Sequence, residues 1–148
     1  MKHSHKIATV IWVLWGILHA AGGAFLLYNL LGTGAAFILS RFSGTDVPAS
    51  SFPAEIYDIA GAIYSQHAWN LIWIGLLGIA VAVLLNWRNS KLGFWFNLAL
   101  ISSADMGQVL FLQVPGHIGW VDGSAGPILW ISGAIFAVHA YLNNARTS

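Results

Sequence analysis

Cysteine is absent from the chain, so no disulfide, thiolate metal ligand or thiol nucleophile can form, and cysteine usage does not report a redox compartment. Charge is nearly as scarce: only 7% of residues are Asp, Glu, Lys or Arg, where soluble domains carry about a quarter. An ordinary soluble fold is excluded on that ground. The formal net charge of +1 comes without a basic run, which excludes the electrostatic footprint of a nucleic-acid binder. There is no G-x-S-x-G elbow, no Walker loop and no H-E-x-x-H, so the hydrolase and nucleotide chemistries lack their motifs. No lysine falls mid-segment, where a retinal Schiff base needs one.

What is present is apolar bulk, 57% of the chain. About 20 apolar residues at 1.5 Å each cover the ~30 Å hydrocarbon core of a bilayer. Four segments meet that length: Ile7 to Leu31, His67 to Trp87, Leu92 to Val114 and Pro127 to Leu142. The first begins like a signal peptide, with the basic "MKHSHK" and the small residues of "HAAGG", but the apolar run continues through "AFLLYNLL" and marks an uncleaved span. The expected fold is an all-α integral membrane protein, a four-helix transmembrane bundle forming one domain over residues 1–148.

Basic residues set the expected orientation. Lys2 and Lys6 precede span one, Arg88 and Lys91 join spans two and three, and Arg146 follows span four. Both termini and the middle loop are then cytoplasmic, in a multi-pass protein of the cell (inner or plasma) membrane. Trp87, Trp95 and Trp120 fall near the expected interfaces, as an aromatic belt requires. An outer cap is expected from residues 32–66 and 115–126. In the first of these, "AAFILSRF" and "AEIYDIAGAIYSQ" read as two short interfacial helices flanking a turn-rich stretch; the other reading makes the second simply an extension of span two. In the second, the Gly- and Pro-rich "QVPGHIGWVDGSAGP" reads as a shaped hairpin anchored by Trp120.

Against this background Asp105, near the middle of span three, demands compensation, because an ionised carboxylate in hydrocarbon costs at least about 2.5 kcal/mol. Counted from the cytoplasmic edge, His19 and Asp105 both lie roughly 18 to 20 Å deep. Asn70 and Gln108 reach slightly higher levels, and His67 lies at the outer rim. Asn97, Asp105 and Gln108 share an arc of about 80° on span three. On span one Gly16, Gly22 and Gly23 share a face with His19, letting a neighbouring helix approach. One polar cluster inside the bundle follows: Asp105 with His19 as its partner, Asn70, Gln108 and His67 orienting, and Trp15 and Trp73 among the tryptophans that hold an apolar part.

Such amides and imidazoles also serve simply as interhelical hydrogen bonds, at about 0.6 to 2 kcal/mol. An acid is an expensive choice for that purpose, which favours a functional Asp105. Asn97 and His139 read as structural. Bis-histidine haem is disfavoured because His19 is level with neither His67 nor His139. A metal site lacks a tight ligand spacing, and these residues assign no cofactor. The expected partners are the bilayer, a small, perhaps lipophilic, molecule or a proton at the cluster, and a second copy or a larger membrane complex against the apolar faces. Two functions stay open: a small-molecule or proton site whose ligand is bound, transported or transformed, and a non-catalytic accessory subunit of a larger membrane complex.

Overall fold

The computed structural model describes residues 3–38, 51 and 53–144, and these are helical with no strand among them. Four long helices run in order: α1, Ser4–Thr33; α2, Ala54–Leu84; α3, Lys91–Gln108; and α4, Ala125–Asn144. A single 3₁₀ turn, Asn86–Arg88, links α2 to α3, and a π-helical turn, Val109–Gln113, prolongs α3. All four are long and apolar enough to cross a membrane. Leu31, Phe111, Ile135 and many other large apolar side chains lie exposed on their outer faces, the surface that lipid tails can cover and water cannot.

The second expected interfacial helix does not exist as a separate element. Residues 54–66 are the first turns of α2. Pro53 opens the helix, and no proline breaks it between Ala54 and Leu84; over residues 54–66 Gly61 is the one glycine, at a cost of only about 1 kcal/mol. Tyr57 pins this extension in place: its hydroxyl donates to the Thr33 carbonyl at 2.9 Å and accepts from the Ala36 N–H at 3.0 Å. Gly34 ends α1 at φ 66°, the left-handed conformation that favours glycine. After it Ile38 packs with Leu30 and Ala68, and Ala35 is buried beside Gly61. Of the first expected interfacial helix, residues 39–42 lie outside the described residues.

The helices alternate in direction, and α1 is the central one. It meets α2 backbone to backbone. A Cβ on Gly16 would sit 2.7 Å from the Gly75 carbonyl oxygen, and one on Gly23 would sit 2.6 Å from that of Ala68. Glycine at these crossings is what lets two helices without a hydrophobic driving force between them gain dispersion contacts. Gly22, expected on the same face, meets nothing and is exposed. On its other side α1 seats Trp12 against Gly133 of α4. Trp12, Trp15, Phe94 and Ile101 fill the core between α1, α3 and α4, and Phe94 stacks on Tyr141 at 4.5 Å.

Candidate functional site

Asp105 is fully buried, as is Trp15 on α1. The Trp15 indole Nε1–H donates to Asp105 Oδ2 at 2.5 Å. The other oxygen, Oδ1, has no hydrogen-bond partner among the described residues. It faces Gly126, in the first turn of α4, where an added Cβ would lie 2.6 Å from Oδ1 and 3.4 Å from His19 Cε1. A side chain at 126 would have to displace the carboxyl, and Asp105 and His19 both reach the space above it.

The start of a helix leaves its first N–H groups unbonded and carries partial positive charge, a favourable place for a carboxylate. Asp105 is thus held by one indole donor, with its free oxygen beside the first turn of α4. His19 is not its hydrogen-bonding or ionic partner, contrary to the sequence expectation: the Trp15 indole takes that place, and His19 stacks on the Trp15 ring. The Trp15 and His19 rings stack at 3.8 Å with 25° between their planes, and His19 Nδ1 lies 2.9 Å from the Trp15 carbonyl oxygen. A carbonyl only accepts, so Nδ1 carries the proton, which leaves Nε2 as a free acceptor in the neutral ring.

The remaining expected residues separate into three places. Gln108 turns to the hairpin, donating from Nε2 to the Gly123 carbonyl at 2.6 Å. Gln113, buried, also reaches Gly123. The π turn explains how: five positions along an α-helix lie about 140° apart at 100° per residue, whereas the wider π turn brings Gln108 and Gln113 onto one side. Asn70 and Trp73 are exposed on α2, away from the Asp105 carboxylate. His67 is also exposed, within electrostatic reach of His19.

Asn97, fully buried, donates to the Gly78 carbonyl at 3.2 Å and ties α3 to α2, as a structural residue should. Ser102 accepts from Trp130 Nε1 at 2.8 Å and ties α3 to α4. No group of three metal-ligating side chains occurs among the described residues. Gly126 is the member of the site that sequence reasoning took only for a turn residue; its place beside Pro127 at the start of span four was the available signal. No family model, curated protein or solved structure matches this chain.

Proposed function

We propose that the chain acts in a membrane as a small helical bundle whose Asp105 exchanges a proton while a small polar solute or proton is bound or moved, with Trp15 holding the carboxyl and His19 Nε2 as the neighbouring acceptor. The observation that carries this reading is the asymmetry of the buried carboxyl: Oδ2 is held by an indole and Oδ1 is left free. An unmet buried acceptor costs about 1–3 kcal/mol; the buried amides Asn97 and Gln113 also leave one oxygen unmet, and Asp105 differs from them in being an acid whose free oxygen can take up a proton.

Infrared difference spectroscopy of the nanodisc-embedded protein across a pH series tests the reading. A carboxyl band that appears and disappears with pH, is missing in Asp105→Asn and is shifted in Trp15→Phe supports it. A spectrum identical in wild type and Asp105→Asn sinks it. Native mass spectrometry of the same two proteins then separates the functions: a small molecule lost with Asp105→Asn supports a ligand site. A protein partner retained by both, with no pH-dependent band, supports the accessory-subunit reading.

A further inference from the structure

At the end of the bundle away from Asp105 and the hairpin, a small cavity of about 20 Å³ opens between α1, the 3₁₀ turn, the start of α3 and the end of α4. Trp12, Asn86, Ser90, Lys91, His5 and Tyr141 contribute to its lining. Asn86 is only 5% exposed, yet neither its Nδ2 nor its Oδ1 has a hydrogen-bond partner among the described residues. Trp12 Nε1, also unmet, lies against Gly133, which is outside the cavity's lining. Buried polar groups are nearly always satisfied, and Asn86 lines the cavity at the N-terminus of an 18-residue helix.

The surroundings specify the sign of the missing partner. Lys6, Arg88 and Lys91 belong to this end, with Lys6 resting 5.1 Å above the Trp87 ring. None of the chain's five Asp and Glu residues belongs to the segments that build it. Ser90 Oγ caps the Gly93 N–H of α3, and helix geometry leaves the N–H groups of Lys91 and Leu92 without intrahelical acceptors. Leu92, Trp95 and Leu142 in the adjoining turns are exposed.

We infer that this cavity receives a phosphate group, with one oxygen accepting from Asn86 Nδ2 and the others directed to Lys91 and the start of α3. The size agrees: the space admits one oxygen, as it would one water, and the rest of the phosphate stays at the rim. Basic pockets between membrane helices commonly take lipid head groups, and free phosphate offers the same chemistry. The site is independent of the role proposed for Asp105.

The test uses the full chain in nonionic detergent. Native mass spectrometry measures retention of phosphatidylglycerol against phosphatidylcholine, and thermal melting measures the response to inorganic phosphate alone. Lys91→Gln and Asn86→Ala are compared with Gln108→Ala, at the opposite end of the bundle. The expected result is preferential retention of phosphatidylglycerol that falls about fivefold in Lys91→Gln, the effect of one basic residue at a membrane surface, falls comparably in Asn86→Ala and holds in Gln108→Ala. A phosphate-induced rise in melting temperature that the same two variants abolish, without lipid preference, assigns the site to free phosphate. Equal retention of both lipids with no phosphate response overturns the inference, as does a preference that Asn86→Ala leaves intact. Asn86→Asp keeps the side-chain shape and adds repulsion, so loss of binding in a variant that still melts as wild type excludes misfolding as the cause.

Discussion

At the scale of single residues, the molecule is organised around one acid and one indole. Replacing Trp15 by Phe keeps the ring but removes the N–H that Asp105 Oδ2 accepts. The buried acceptor is then unmet, and chemical unfolding in mixed micelles should show a loss of about 1–3 kcal/mol. Asp105→Asn restores a neutral side chain of the same shape and should be mild by the same measurement while abolishing the pH-dependent infrared band. Gly126→Ala places a methyl group where Asp105 Oδ1 already lies; it should displace the carboxyl, lower the melting temperature and shift that band. The acid itself was legible in the sequence because a lone carboxylate in an apolar run has no inexpensive explanation. Its partner was not. Depth along the helices pointed to His19, level with Asp105, and not to Trp15 one turn below it; only the way α1 faces α3 brings the longer Trp15 indole to the acid instead.

At the scale of elements, the helices are held by close backbone approach and by a few directed polar bonds. Gly75→Leu must push α2 away from Gly16 and Ala20, an overpacking whose cost is about 1–3 kcal/mol and can exceed it. Gly22→Leu, at an exposed position with nothing near it, should leave stability unchanged in the same unfolding assay. The contrast tests the claim that the α1–α2 seam runs through Gly16 and Gly23. The π turn makes a second prediction: Gln108→Ala or Gln113→Ala removes one of the two side chains that meet at Gly123. Hydrogen exchange over residues 114–124 should accelerate, with the α1–α2 seam unaffected. Helix existence followed from apolar length. The start of α2 did not, because residues 54–66 have a helical pattern compatible with either a separate surface helix or a continuation, and Tyr57 bonding to Thr33 and Ala36 favours the second.

At the scale of the whole molecule, polarity is divided by end. The cations Lys6, Arg88 and Lys91 gather at one end, and the acids Glu55, Asp58 and Asp122 belong to the other. In a bilayer this division predicts that the end bearing Lys91 faces the cytoplasm. Cysteines placed singly at 90 and 121 in this cysteine-free chain should report it: an impermeant thiol reagent added to intact cells is expected to label position 121 and spare position 90. The reverse pattern would invert the topology without altering the bundle.

Sequence alone determined the number of membrane-length helices, their apolar outer faces, the lone buried acid and the separation of charge, because each depends on composition along a single segment and on the fixed rise of a helix. Tertiary structure decided the rest: that Asp105 bonds Trp15 instead of His19, that Gly126 makes room for it, that Gln108 joins Gln113 at the hairpin, and that Asn70 and Trp73 stand apart. Those outcomes depend on how helices distant in sequence rotate and cross, and on a π turn that changes the phase of α3, and neither is encoded in the periodicity of any one segment.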